Sequence, residues 1–168
     1  NIKMKPSKEF TVSLSFKTSV VFDSSKNYYH IFQNWQNRSD WKWINIRQQS
    51  SGADGNANRF ATLVFTWTSN SCKTKYDVFV KTNEWENILV KYDGKDIYTY
   101  KDWTLVSRTN SNYQWDILND TVDINIWAMT STTWVSWWAF FYWLIDEVRM
   151  YDRAFSDDEV KALYDAIK

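Results

Sequence analysis

Three glycines, one proline, one cysteine and one histidine are all that 168 residues contain of those types. The single cysteine, Cys72, excludes an internal disulfide, and the single histidine, His30, excludes a histidine-based metal cluster. Basic and acidic side chains balance at 20 against 20, so no electrostatic case exists for a nucleic-acid partner or an anionic membrane surface. No apolar run approaches the roughly 20 residues that cross a bilayer, so no membrane insertion by this segment is expected. The chain opens at Asn1 without a methionine or a signal segment, which reads as a single domain, residues 1–168, excised from a longer protein. Its length supports one real hydrophobic core.

What is present alternates. Phe10, Val12, Leu14 and Phe16 are separated by polar residues, the period of a half-buried strand. Further short strands are expected at Tyr28–Phe32, Ile44–Arg47, Phe60–Phe65, Tyr76–Val80, Ile88–Tyr92, Ile97–Tyr100 and Leu105–Val106, and through Val122, Ile124 and Ile126. Turns are expected at Asn34-Trp35 and across Asn37–Trp43, and polar loops over 48–58, around Cys72 and over 107–120. Asp93-Gly94 is the strongest hairpin signal in the chain.

The last stretch closes the fold. Leu144, Val148 and Met150 supply one apolar face of a strand interrupted by Asp146, with Ile145 and Tyr151 flanking Glu147 and Arg149 on the other. A helix follows with its start signals in place: Ser156 at the N-cap, Glu159 completing a capping box, and Phe155 and Val160 placed for a hydrophobic staple. Asp157 and Asp158 complement the helix dipole. Val160, Leu163, Tyr164 and Ile167 repeat at helical spacing, so one face docks.

The run Ile145-Asp-Glu-Val-Arg-Met-Tyr-Asp-Arg-Ala-Phe-Ser-Asp-Asp-Glu-Val160 resembles the C-terminal signature of the laminin-G-like, concanavalin A-like jelly rolls. Trp85 with the turn Tyr92-Asp93-Gly94, the hairpin Tyr100-Lys101-Asp102-Trp103, and the opening strand Phe10-Thr11-Val12-Ser13 match the same family pattern. The resemblance covers almost the whole chain. It implies an all-β fold, a two-sheet antiparallel β-sandwich (jelly roll) with a short C-terminal α-helix, and leaves the ligand open.

Glycine shortage then conflicts with the fold, because tight hairpins need residues with φ > 0. Average usage of about 7% would supply roughly 12 glycines, whereas the chain has 3 and carries 12 tryptophans. Tryptophan stands in the turn slots: Trp35 after Asn34, Trp41 after Asp40 with Trp43 beyond it, and Trp103 after Asp102. In the family pattern Trp127 and Trp143 also fall on glycines, and Trp134 and one of Trp137 or Trp138 lie where small residues belong. Left-handed geometry costs a non-glycine residue roughly 1–2 kcal/mol, so about six such sites would consume on the order of 6–12 kcal/mol. A whole domain has about 5–15 kcal/mol of stability. The expectation is that most of these tryptophans are glycines read from reassigned UGA codons. Trp85 is the exception and Trp67 and Trp115 stay open. The competing reading is that the indoles are native and stack on sugars.

The search for chemistry is largely negative. A retaining glycosidase needs two carboxylates about 5–5.5 Å apart. Asp146 and Glu147, adjacent in a strand, are expected on opposite faces, with Asp146 near Arg153 and Glu147 beside Arg149. His30 reads as a sheet residue and Cys72 as an unactivated thiol. The sequons Asn37-Arg-Ser39 and Asn119-Asp-Thr121 are short enough to arise by chance. Calcium is the one cofactor to weigh. Pentraxin-like relatives place an acidic loop before the closing strand, but Thr130–Ser136 has no acid, leaving Asp54, Asp116 and Asp120 on other loops as weak candidates.

The resemblance therefore implies a non-catalytic recognition module, extracellular or at the cell surface, whose partner is a glycan or a surface protein. A divergent glycoside hydrolase and a structural spacer without ligand remain the alternatives.

Overall fold

A computed structural model describes residues 8–19, 29–34, 43–49, 59–65, 72–110, 125–126 and 144–167. The described strands are β1 (Phe10–Lys17), β2 (Tyr29–Asn34), β3 (Trp43–Gln49), β4 (Arg59–Phe65), β5 (Cys72–Phe79), β6 (Trp85–Tyr92), β7 (Asp96–Lys101), β8 (Thr104–Asn110), β9 (Asn125–Ile126) and β10 (Leu144–Tyr151). One helix, α1 (Asp157–Ile167), follows them. They form two five-stranded antiparallel sheets ordered β10-β1-β6-β7-β8 and β5-β4-β3-β2-β9. The all-β sandwich with a terminal helix is thus the observed architecture.

Alternation in β1 sets the layers. Phe10, Val12, Leu14 and Phe16 point inward and are fully buried with Ile88, Val90 and Tyr92 of β6. Ile31, Phe32 and Ile46 of the second sheet belong to the same cluster, so this is the interior of the sandwich. Ile31 and Phe32 are consecutive yet both buried, because the β2–β3 register shifts between His30 and Phe32. An irregularity there breaks strict alternation.

The outer face of the first sheet is covered by α1. Leu89 and Tyr100 pack with Phe155, Val160 and Leu163 in a second cluster, with Tyr151 and Ile167 at its margin. Burying each large apolar side chain contributes about 1.5–3 kcal/mol, and it is this docking that holds an 11-residue helix too short to persist alone. The capping box is made as expected: Glu159 N–H donates to Ser156 Oγ at 3.2 Å, and Ser156 N–H donates to Glu159 Oε2 at 2.9 Å. Both staple residues, Phe155 and Val160, are buried together.

The closing strand departs from simple alternation. Its pairing with β1 slips between Ser13 and Ser15, and Glu147 there has φ 52°. An extra residue at this bulge switches which face each side chain takes. Ile145, Val148 and Met150 therefore pack on the core, while Leu144 pairs with Lys17 on the outer face and is 61% exposed. The expected apolar face led by Leu144 is corrected accordingly.

Other boundaries move as well. Trp43 opens β3 opposite Phe65 rather than ending a turn, Cys72 begins β5, and residues 107–110 extend β8. Both hairpin turns are where the sequence places them. Gly94 has φ 87°, and Asp102 and Trp103 have φ 45° and 67° between the closing pair Lys101 and Thr104.

Candidate functional site

On the outer face, the β7–β8 hairpin and α1 enclose a groove of about 510 Å³. Tyr100, Asp102, Trp103, Thr104 and Leu105 line one side, and Asp157, Val160, Lys161 and Tyr164 the other. Strand alternation brings Tyr100 to this face, and the tight turn swings Trp103 toward the helix. Its indole lies 5.5 Å from the Tyr164 ring, inclined at 41°. The groove therefore combines aromatic surface with a hydroxyl, a carboxylate and a lysine, the mixture that grips an apolar face and hydroxyl edges together.

Its floor is fixed by a buried lysine. Lys91 lies on β6, facing outward beneath the start of α1. Its Nζ donates to the Phe155 carbonyl at 3.0 Å and to Asp157 Oδ1 at 2.7 Å, and stands 4.6 Å from the centre of the Tyr98 ring. The Tyr100 hydroxyl donates to the same Asp157 oxygen at 2.7 Å. Burial pushes the Tyr100 hydroxyl well above the ordinary phenol range, reinforced by its bond to Asp157 and by that carboxylate's charge. Hydrogen bonds from Lys91 and Tyr100, with the Lys91 charge, hold Asp157 below the usual carboxylate range. Asp157, expected only as a dipole complement, is thus also the acceptor that locks helix to sheet. Thr11 makes a second lock: its hydroxyl donates to the Arg153 carbonyl at 2.8 Å and accepts Phe155 N–H at 3.0 Å. Neither Lys91 nor Thr11 was legible as a functional position; both sit at outward slots of strands that sequence reasoning assigns to solvent.

Around Asp102 the groove continues as a polar rim. Asp102 Oδ1 accepts Asn87 N–H at 3.0 Å, and Asn87 Oδ1 accepts the Ser15 hydroxyl at 2.6 Å. Beyond them Leu144, Lys17 and Trp85 stand side by side across β10, β1 and β6, with Trp85 and Leu144 exposed.

Asp146 and Glu147 are each engaged by close neighbours. Glu147 N–H donates to Asp146 Oδ1 at 2.8 Å, and Glu147 Oε2 pairs with Arg149 at 2.6 Å, as expected for Glu147. Arg153 pairs not with Asp146 but with Glu159, accepted by both carboxylate oxygens at 2.7 and 2.6 Å. That bidentate contact, with the N–H bond from Ser156, brings Glu159 down to about 2. On the inner face, Glu86 accepts Lys101 Nζ at 2.7 Å and Lys81 N–H at 3.1 Å, yet burial leaves its carboxyl raised. At the other hairpin, burial raises Asp93, but N–H groups of Asp96 and Lys95 and the Tyr98 hydroxyl outweigh it and lower the carboxyl overall.

Among the described residues no three His, Cys, Asp or Glu side chains converge as a metal site. Asp54, Asp116 and Asp120 lie outside the described residues, as do the two sequon asparagines and Thr130–Ser136. His30 lies in β2 opposite Arg47, and Cys72 opposite Phe65. Among the described residues no helix is long and apolar enough to cross a membrane.

No family model and no curated protein matches this chain. Solved structures do. Domain 4 of AbnA, a GH43 extracellular arabinanase from Geobacillus stearothermophilus, solved with arabinotriose, is similar with a TM-score of 0.68 and 20% identity over 96% of this chain and 68% of its own. The CBM40 of the Ruminococcus gnavus IT-sialidase, bound to α2,3-sialyllactose, is similar with a TM-score of 0.68 and 15% identity over 94% of this chain and 83% of that one. A heptameric SAP-like pentraxin from Limulus polyphemus has a TM-score of 0.63 and 12% identity over 94% of this chain and 70% of its own. At these identities the likeness shows a shared β-sandwich fold.

Proposed function

We propose that this chain is a non-catalytic carbohydrate-recognition module of the laminin-G-like kind, working at the cell surface or outside the cell. The observation that carries this reading is the groove between hairpin and helix, where Tyr164 and Tyr100 border Asp102, Thr104 and Lys161. Sugars present an apolar face and a rim of hydroxyls, and this lining is complementary to both. The whole-chain likeness to modules solved with arabinotriose and α2,3-sialyllactose supports the same ligand class. Asp146 is engaged by the Glu147 backbone and Glu147 by Arg149, contacts that support a structural rather than a hydrolytic role for these two carboxylates.

A glycan array probed with the full chain tests this. One glycan class is expected to bind, and Tyr164→Ala is expected to weaken it about fivefold, the loss of an aromatic contact worth about 1 kcal/mol. A folded chain that binds no glycan, or binds only proteins, overturns the proposal. So does release of reducing sugar from any bound glycan.

A further inference from the structure

We propose that residue 103 is glycine in the protein made by its native cell, its codon being a UGA reassigned to glycine, so that Trp103 is not the native side chain. The inference is independent of the ligand class. Asp102 and Trp103 are the two central residues of the hairpin loop closed by Lys101 and Thr104, and both have positive φ, 45° and 67°. That conformation is the primed turn matched to strand twist, and its preferred occupants are Asn-Gly and Asp-Gly. Asp102 suits the first position because a short polar side chain tolerates it; an indole on a Cβ does not suit the second.

Within the same structure the controls are close by. Gly94, the described glycine with positive φ, occupies the neighbouring hairpin turn. Trp85 sits in the extended backbone of β6, where tryptophan is at ease. Trp43 opens β3 opposite Phe65, in a strand rather than a turn. Two other residues with positive φ, Asn83 and Glu147, belong to types with no glycine codon at issue. The indole packs against the second cluster and lies 5.5 Å from the Tyr164 ring, which offsets the left-handed penalty without changing the backbone conformation that carries it. Composition points the same way: 12 tryptophans beside 3 glycines is the imbalance that one reassigned codon produces.

The functional consequence falls on the groove. Without the indole, the hairpin tip is bare backbone and the Tyr164 ring is uncovered along its wall. Ligand would then meet Tyr164 and Tyr100 rather than a tryptophan platform.

Tandem mass spectrometry of the protein isolated from its native cells, on the tryptic peptides Asp102–Arg108 and Thr82–Lys91, reads both residues directly. Glycine at 103 with tryptophan at 85 is expected; tryptophan at 103, or a UGG codon there, overturns the proposal. A second measurement uses the chain as written. Trp103→Gly should melt about 2–8 °C above Trp103→Ala, because both remove the indole and only alanine keeps a Cβ at φ 67°, whereas at residue 85 the order of the two variants should reverse. An equal Tm for the two variants at 103, or a higher one for Trp103→Ala, contradicts the strain on which the inference rests.

Discussion

Replacing Lys91 with methionine should loosen the terminal helix and leave the sandwich intact. Lys91 has only 8% of its side chain exposed, and its ammonium donates to the Phe155 carbonyl and to Asp157. Methionine keeps the aliphatic stem, so little packing is lost. Hydrogen bonds from a charged group are worth about 1.5–3 kcal/mol. Asp157, with 81% of its side chain exposed, regains water when the lysine goes, and its share is discounted accordingly. The Phe155 carbonyl bond is buried and has no such recourse, and the cation over Tyr98 adds about 1 kcal/mol. Removing the cost of burying an ammonium offsets part of this. The net loss is about 2 kcal/mol, or about 4–8 °C in Tm. Urea unfolding gives the energy, and hydrogen exchange should show the loss concentrated in 157–167. There is also a pH signature. Asp157 titrates lower in the folded state than in the unfolded chain, so its contribution is present above the unfolded value and lost as pH falls through the folded one. That acid dependence should shrink in Lys91→Met. An unchanged or raised stability, with exchange in the helix unaltered, would refute the reasoning.

Lys101→Met should cost about 3–5 kcal/mol by stranding the Glu86 carboxylate among apolar neighbours. Because Glu86 is already raised in the fold, the deficit should narrow as pH falls through its pKa, which a pH series of denaturant midpoints would read. Glu147→Gly should gain up to about 1 kcal/mol, since left-handed strain at the bulge outweighs a half-exposed pair with Arg149. Glu147→Val should instead destabilise, as calorimetry of the two variants would reveal. Ser156→Ala should cost about 1 kcal/mol by removing one side of the capping box. The Glu159 carboxylate, at about 2 in the fold, stabilises above its unfolded pKa and loses that role as pH drops toward 2, a limb that Arg153→Ala should flatten.

Much of the fold was readable because its signals are local. Period-two alternation placed β1, and Ser156, Glu159 and Phe155 announced the helix through a cap and staple that need no distant partner. The β10 face was not readable, since the bulge at Glu147 depends on pairing with Ser13 and Ser15, far away in sequence. The extension of β8 through Ser107 and Arg108 was hidden for a related reason: Arg108 is a strand residue whose charge is held by Asp96, and its polarity reads as loop. The groove was harder still. Tyr100, Lys161 and Tyr164 come together only when α1 lies across the sheet, and the anchor for that placement, Lys91, looks from the sequence like any solvated lysine. Trp103 is the opposite case, where an odd dipeptide announced the left-handed backbone found at Asp102 and Trp103.

Amide chemical-shift mapping during titration of the full chain with its best array glycan tests the central claim most directly. Saturable shifts clustered at Thr104, Leu105, Lys161 and Tyr164 are the predicted result. Shifts confined to other surfaces, or none with any glycan while the chain remains folded, would contradict it.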